Sequence, residues 1–409
     1  MSMTTAARPP SAADPSEARG LSRGLLLLMS VATGLIVAGN YFAQPLLDAI
    51  RGDFGLSTGT AALIVTAAQA GYALGLFLLL PLADLFERRR LAVTLFGATA
   101  FFLLVCGIAG NGVVLLAATA LAAFTSVAAQ VLVTFAVALS TPERRGRVVG
   151  TVMSGLLVGG LLARTVAGLL SEAGGWRTVY WFGAAALAMV AVALWRSLPT
   201  VHAPVGMSYP ALLRSTAGLL RTNSVLRRRA GLGALSMASF TLFWTGVTFL
   251  LAGPGYHWSE ATIGLFGLVG IAGTVATPLS GRLADRGHVH RVAGAGAALL
   301  VVAWIMLAAG VSSLPALIAG AIVLTVGQQA LLNSNQNVLY ALAPELRNRL
   351  NSAFMTVFFL GGAAGSALTA LAWDRGGWIG VGVAGGVLAT ATVLLWGADR
   401  MRDRSTRAQ

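Results

Sequence analysis

The hexapeptide Gly281-Arg282-Leu283-Ala284-Asp285-Arg286 contains a Leu-Ala-Asp sequence that also stands 201 residues earlier, at Leu82-Ala83-Asp84. Three further matches follow at an offset of 202 residues: Pro142-Glu143 with Pro344-Glu345, Gly159-Gly160 with Gly361-Gly362, and Gly174-Gly175-Trp176 with Gly376-Gly377-Trp378. Matches in one register, with a single-residue slip, indicate an internal duplication. We therefore expect the chain to consist of two similar halves.

The composition is that of a membrane protein. Of the 409 residues, 56% are hydrophobic and 10% are charged, and the mean hydropathy is +0.79, whereas soluble domains carry about 25% charged residues. Twelve apolar runs, each about as long as a transmembrane helix requires, lie near residues 24–47, 58–80, 91–110, 113–139, 148–171, 177–195, 230–252, 260–280, 292–311, 314–342, 350–372 and 378–397. We predict an all-α membrane protein with twelve transmembrane helices, called spans 1–12, in two pseudo-symmetric six-helix bundles.

The apolar runs divide the chain into five parts. These are a disordered cytoplasmic N-terminal tail (1–23), a first six-helix half (24–196), a cytoplasmic linker (197–229), a second six-helix half (230–397) and a cytoplasmic C-terminal tail (398–409). In the linker, leucines alternate with Arg214, Arg221 and the Arg227–Arg229 cluster. This pattern fits a helix that lies on the cytoplasmic leaflet with its arginines toward anionic lipid. A flexible, solvated linker is the alternative.

The charge distribution predicts the orientation. The chain has a net charge of +14, and all 28 of its basic residues are arginines. If alternate loops face opposite sides, 24 arginines fall on one side and three, Arg51, Arg177 and Arg375, on the other. The positive-inside rule then places both termini in the cytoplasm of a multi-pass cell-membrane (inner or plasma membrane) protein. Because the arginines follow the predicted topology, the excess charge does not indicate a nucleic-acid partner.

The two halves and the loops after spans 2 and 8 resemble the major facilitator superfamily. Gly281 to Arg286 is similar to that family's signature loop, and Leu82-Ala83-Asp84 followed by Arg88-Arg89-Arg90 keeps its aspartate and basic cluster. The resemblance implies transport by alternating access between two six-helix bundles. It also implies gating roles for six residues of these loops: Asp84, Arg88, Arg89, Gly281, Asp285 and Arg286.

A second resemblance indicates the direction of transport. Asn40 to Leu47 is similar to the first span of bacterial efflux permeases of the drug and sugar exporter branch. This implies proton-coupled efflux of a small organic solute. Asp48, near the outer end of span 1, is the best candidate for a proton carrier. Unlike many exporters, the chain has no arginine in span 4 and no Gly-Pro pair in span 5.

One charged residue, Arg164, lies in the middle of a span. A charged side chain in hydrocarbon is costly and needs a partner, and Asp48 is the nearest candidate in depth. Arg164 either faces a central cavity and attracts an anionic or hydroxyl-rich substrate, or ties spans 1 and 5 together. If the first holds, a uniporter or an anion exchanger built on Arg164 is an alternative to the proton-coupled exporter.

Neutral polar residues complete the predicted binding site. In the superfamily, spans 1, 4, 7 and 10 line the central cavity, so the resemblance implies a substrate site built from residues of these spans together with Arg164. The candidates are Asn40, Tyr41, Gln44, Gln130, Trp244, Gln329, Asn333, Gln336 and Asn337. The four span-10 residues share one helical face. Amide hydrogen bonds between helices are the alternative role.

The spans lack the groups that other functions need. No Asp, Glu or His lies in mid-span, so a membrane-embedded enzyme or a bound metal is not expected. The glycines lie inside apolar runs without a Gly-Lys-Ser sequence, so we expect no nucleotide, and no cofactor is predicted. Gly71/Gly75, Gly155/Gly159, Gly361/Gly365 and Gly382/Gly386 are expected to let helices approach closely. The expected partners are a small-molecule substrate, the lipid bilayer and protons, and a non-transporting receptor or scaffold is the least favoured alternative.

Overall fold

A computed structural model describes residues 22–141, 143–200, 208–342 and 346–407, apart from the side chains of Asp285, Asn348 and residues 403–407. Most of the predicted N-terminal tail, Pro142, Pro344-Glu345 and the last two residues lie outside this range. The described residues form helices and turns, without a β-strand. The helices are Arg23–Ala38 and Ala43–Phe54 (span 1), Thr58–Leu78 (2), Arg88–Gly107 (3), Gly112–Thr125 and Ala128–Ala138 (4), Arg145–Gly174 (5), Trp176–Ser197 (6), Tyr209–Thr222 (linker helix), Ser224–Ala252 (7), Glu260–Phe266 and Ile271–Leu283 (8), Val289–Ala308 (9), Leu314–Leu342 (10) and Arg347–Arg407 (11 and 12).

The prediction of an all-α membrane fold is confirmed. Eleven helical segments of the described chain are long and apolar enough to cross a membrane, and the last of them, Arg349–Arg402, contains 54 residues. This segment is two spans, because the backbone leaves the helical conformation at Gly376 and Gly377. Gly377 has φ 54° and Gly175, its counterpart in the first half, has φ 79°. Positive φ favours glycine, which explains why the Gly-Gly-Trp sequence occurs in both copies.

Span 1 is broken in the middle, between Ala38 and Ala43. Pro45 lacks the amide hydrogen that a continuous helix would donate to the carbonyl of Tyr41. The chain therefore makes turns at residues 39–42 and starts a new helix. The break places Tyr41 and Gln44 at the depth where the two halves meet.

Pairs of glycines bring helices of the same half into contact. A Cβ atom at Gly155 would lie 2.0 Å from the carbonyl oxygen of Ser30, so spans 1 and 5 touch through their backbones. Gly361 and Gly365 pack in the same way on span 7, and Gly71 and Gly75 pack on span 4. The expectation for Gly382/Gly386 is wrong, because no atom lies within 4 Å of the Cβ position of either residue.

The linker helix packs on protein. Leu212 and Thr216 are buried, and the Tyr209 hydroxyl donates to the carbonyl oxygen of Leu78 at 2.8 Å. Ser215 accepts a hydrogen bond from Arg349 Nη1 of span 11 at 3.1 Å. The helix therefore connects the two halves at the end of the bundle that carries most of the arginines, called here the arginine-rich end.

A buried ion cluster lies at the same end. Arg228 and Arg229, which the sequence assigns to the linker, begin span 7, and both pair with Asp399 of span 12, at 2.5 and 2.9 Å. Arg229 and Asp399 are each 1% exposed. Span 12 therefore extends as a helix into the segment predicted as a tail.

Candidate functional site

Arg164 lies at the centre of the candidate site. Its side chain is buried in span 5, and Nε donates a hydrogen bond of 2.5 Å to Oε1 of Gln44 in span 1. The expected pairing with Asp48 is wrong, because Asp48 pairs with Arg51 at 2.8 Å on the surface of its own helix. Asp48 stands one helical turn beyond Gln44, so its carboxylate lies further along span 1 than the guanidinium of Arg164. Among the described residues Arg164 has no carboxylate partner.

Two aromatic rings hold the guanidinium of Arg164. Its Cζ lies 4.7 Å from the ring centroid of Tyr41 and 4.3 Å from that of Trp244. A cation over an aromatic face is stabilised by about 2 kcal/mol when it is shielded from water. Tyr41 belongs to the first half and Trp244 to the second, so both halves contribute to this interaction.

A small cavity lies beside the guanidinium. Its volume is about 10 Å³, close to the space that one water molecule needs. The lining residues are Gln44, Pro45, Arg164, Trp244, Val247, Thr248, Ile263 and Phe266. Three nitrogen atoms of this lining are buried without a hydrogen-bond partner: Nε2 of Gln44, Nη2 of Arg164 and Nε1 of Trp244.

Close contacts between the halves seal the cavity at the end opposite the arginine-rich end. Thr165 of span 5 donates to the carbonyl oxygen of Gly264 in span 8 at 3.0 Å. Thr248 of span 7 donates to the carbonyl oxygen of Gln44 at 2.9 Å. Toward the arginine-rich end, the second helix of span 8, Ile271–Leu283, has no extensive contact with span 5. We call the end at which Thr165 and Gly264 meet the arginine-poor end.

The structure brings together four of the predicted site residues, Tyr41, Gln44, Arg164 and Trp244. Gln130 of span 4 instead interacts with the hydroxyl of Tyr72 in span 2. Asn40 instead accepts a hydrogen bond of 3.1 Å from Ser126 of span 4.

The polar face of span 10 lies apart from the guanidinium. Asn333 donates to Ser280 Oγ of span 8 at 2.7 Å and accepts from Gln329 Nε2 at 3.2 Å. Gln336 donates to Asn351 Oδ1 of span 11 at 3.4 Å. Asn337 is half-buried. Hydrogen bonding between helices, the alternative role, therefore describes Asn333 and Gln336 in this conformation.

The aspartate of the predicted gating loop after span 2 holds no neighbouring helix in this conformation. Asp84 is exposed and makes no hydrogen bond or ion pair within the described part of the chain. Arg88 Nε donates to the carbonyl oxygen of Ala83 at 3.4 Å, and Arg89 binds the carbonyl oxygen of Trp195 in span 6.

The second gating loop differs in shape. Gly281 has open space around its Cβ position, and Arg286 is exposed. Gly287 has φ 81° and bends the chain directly after Arg286. The side chain of Asp285 lies outside the described part of the chain.

Several residues of the site were not predicted. Thr248 lies one helical turn beyond Trp244, and that spacing is the signal that could have identified it. Gly264 and Gly267 of span 8 pack directly against Arg164. Their three-residue spacing marks a helix face for close approach, but it does not name the partner helix. Phe266 carries no sequence signal, because it is one apolar residue in an apolar run.

Comparison with known proteins identifies the class. The family model of the Major Facilitator Superfamily matches residues 29–286 and 230–409. The uncharacterized transporter YgaY of Escherichia coli O157:H7 is 48% identical over 376 residues, which cover 92% of this chain and 95% of the relative. A chloramphenicol resistance protein of Streptomyces lividans is 30% identical over 299 residues, covering 69% and 72% of the two chains.

Solved structures share the fold. A bacterial homolog of the human lysosomal transporter Spinster superposes with a TM-score of 0.69 at 17% identity and covers 91% of each chain. The nucleoside transporter NupG superposes with a TM-score of 0.71 at 14% identity, covering 91% of this chain and 98% of NupG.

The fold, the site between the halves and these matches define a secondary transporter. The chain belongs to the Major Facilitator Superfamily. It is thus a multi-pass transporter of the cell membrane that moves a small molecule.

Proposed function

We propose that the protein exports a small organic solute by alternating access, through a path that passes Arg164, and that inward proton flow drives the export. The observation that carries the proposal is the position of Arg164. Its charge lies in the middle of span 5, and it is held by Gln44 and Tyr41 of one half and by Trp244 of the other. A residue held by both halves changes its surroundings whenever the halves rock.

The orientation follows from the arginines. By the positive-inside rule the arginine-rich end faces the cytoplasm, so the closure at Thr165 and Gly264 faces outward. A solute would enter between the halves from the cytoplasm and leave when this closure opens. Export also agrees with the similarity of residues 40–47 to efflux permeases and of 69% of the chain to a chloramphenicol resistance protein.

Proton coupling is assigned to Asp48. It lies one turn from Gln44 on the same helix, near the outward closure, and its side chain is 37% exposed. Protonation would release Arg51 and change the charge next to the site. Uniport or anion exchange is the second candidate, because the guanidinium of Arg164 has no carboxylate partner among the described residues.

Flux into proteoliposomes tests the proposal. The purified protein is reconstituted, a panel of neutral, cationic and anionic solutes is offered, and uptake is measured with and without an imposed pH gradient. We expect saturable flux of at least one solute, accelerated by the gradient. Equal flux without the gradient would favour the uniporter, and no flux for any solute would favour the scaffold.

A further inference from the structure

The cavity beside Arg164 contains hydrogen-bond donors without an acceptor. Arg164 Nη2, Gln44 Nε2 and Trp244 Nε1 are all N–H donors, and each is buried without a partner. The orientation of the Gln44 amide is set by its Oε1 atom, which accepts from Arg164 Nε. Its NH₂ group is therefore the part left without a partner.

Such a grouping is uncommon in folded proteins. The large majority of buried polar side-chain atoms have a hydrogen-bond partner, and unsatisfied ones call for an explanation. Here the three unsatisfied donors belong to residues that line one cavity and come from spans 1, 5 and 7. Three unpaired donors on residues that line one cavity match a ligand group that accepts hydrogen bonds.

The charge of the site specifies that ligand further. The guanidinium carries one positive charge and no carboxylate among the described residues neutralises it. Water or an amide carbonyl would satisfy the donors and leave the charge uncompensated in a shielded site. A carboxylate or a halide would accept the hydrogen bonds and also compensate the charge. A planar guanidinium matches a carboxylate with two parallel hydrogen bonds.

We propose that this cavity is a binding site for a monovalent anion, either the carboxylate of the transported solute or a small inorganic anion such as chloride. This inference rests on the proposed function in one respect, namely that the solute bound here is transported. The present volume, close to that of one water molecule, is too small for an organic anion. Pro45, Val247, Ile263 and Phe266 form the apolar part of the lining, so an organic anion with an apolar body fits best once the halves separate.

Thermal unfolding of the purified protein in detergent tests the site without requiring transport. The probes are sodium benzoate, its neutral counterpart benzamide, and sodium chloride against sodium methanesulfonate, all at constant ionic strength. Anything that binds the folded state raises the melting temperature with ligand concentration. We expect benzoate or chloride to raise the melting temperature and benzamide to leave it unchanged. Stabilisation by benzoate alone identifies a carboxylate site, and stabilisation by chloride identifies an inorganic anion site.

Two variants separate this site from general anion effects. Gln44→Glu supplies a carboxylate to Arg164 from within the protein, so the anion response should disappear while the protein stays folded. Trp244→Phe keeps a ring over the guanidinium and removes one donor. It should weaken the apparent Kd roughly 10-fold, as expected for a lost hydrogen bond to a charged group. Arg177→Gln is the control, because Arg177 also lies over a tryptophan, Trp176 at 4.3 Å, but is paired with Asp53.

The outcomes that overturn the inference are equally specific. Equal stabilisation by benzamide and benzoate, no response to any anion, or an unchanged response in both Gln44→Glu and Trp244→Phe would each exclude an anion site. Anion binding without flux in proteoliposomes would leave this inference standing and reject the proposed function. Flux of neutral solutes without anion binding would do the reverse.

Discussion

Gly264 of span 8 packs so closely on Arg164 of span 5 that a Cβ atom at Gly264 would lie 2.5 Å from the Arg164 carbonyl oxygen. Gly267, about one turn further along, faces the side chain of Arg164, with 2.9 Å between its Cβ position and the Arg164 Cβ. Arg164 therefore supplies both the guanidinium of the site and part of the backbone surface of the closure. Opening the arginine-poor end must change the surroundings of the guanidinium.

Gly264→Ala should shift the protein toward the state that is open at the arginine-poor end. Overpacking costs about 1–3 kcal/mol, and that difference moves a two-state equilibrium about 5- to 150-fold. The shift between the two states is measured by the rate at which a cysteine placed at Val247, in a Cys106→Ser background, is labelled. Val247 is suitable because it lines the cavity and is 1% exposed. A membrane-impermeant thiol reagent should react faster in the Gly264→Ala variant.

Gly386→Ala is the matched control, since no atom lies within 4 Å of the Cβ position of Gly386 in span 12. Labelling at the wild-type rate in both glycine variants would show that the contact between Gly264 and Arg164 does not hold the closure.

Arg164→Gln should strongly reduce saturable transport while expression and membrane insertion stay normal. The amide keeps some hydrogen bonding but loses the charge that Tyr41 and Trp244 hold. We expect flux to fall roughly 10-fold or more, because hydrogen bonds to charged groups are the strong ones. Arg177→Gln, at the protein surface and outside the site, should retain flux. Wild-type flux in Arg164→Gln would indicate that Arg164 only connects spans 1 and 5 and takes no part in transport.

Much of the fold could be predicted because local signals carry it. The Gly-Gly-Trp repeat indicated the duplication, and in the structure Gly175 and Gly377 adopt positive φ at corresponding positions of the two halves. Apolar length alone located the spans. Boundaries were less accurate: span 7 was predicted to begin at residue 230 and begins at Ser224, because Arg229 is buried by its partner Asp399 and does not mark the membrane surface.

The site was predicted only in part, because sequence gives depth along a helix and not the helix that a side chain faces. Even depth was accurate only to about one turn: it suggested Asp48 as the partner of Arg164, whereas the structure has Gln44 on the same helix face. Similarly, the polar face of span 10 was recognised, but Ser280 of span 8, the partner of Asn333, could not be read from span 10. Such pairings depend on how neighbouring helices are rotated.

Asp48→Asn tests the coupling. If Asp48 carries the proton, the variant should transport at the same rate with and without an inward proton gradient, while flux down the solute gradient persists. Asp53→Asn is the control, since Asp53 is also a partly exposed carboxylate paired with an arginine, Arg177 at 2.7 Å. Full acceleration by the gradient in the Asp48→Asn variant would exclude this residue as the proton carrier.

Asp84→Asn should slow turnover without lowering the melting temperature. In the present conformation Asp84 is exposed and has no partner among the described residues, so this state loses nothing when the charge is removed. The role expected from the family resemblance is a contact that Asp84 makes in another access state. Removing a contact made in one state alone shifts the balance between states. Glu143→Gln, an exposed loop residue near the same end, serves as the control. Unchanged turnover, or equal losses of stability and turnover, would contradict the gating role.

Asp399→Asn should destabilise the protein more than any of the changes above. Asp399 and Arg229 are each 1% exposed, and removing one partner of a buried ion pair costs about 3–5 kcal/mol, because the other charge stays buried. The melting temperature and the yield of purified protein should both fall. Asp374→Asn, at an exposed position, should change neither. The double variant Asp399→Leu/Arg229→Met should recover most of the loss, because it removes both buried charges and leaves Arg228 able to reach water. Failure of the double variant to recover would indicate that the cluster also orients span 7 toward the Arg164 site, and transport by that variant would decide this.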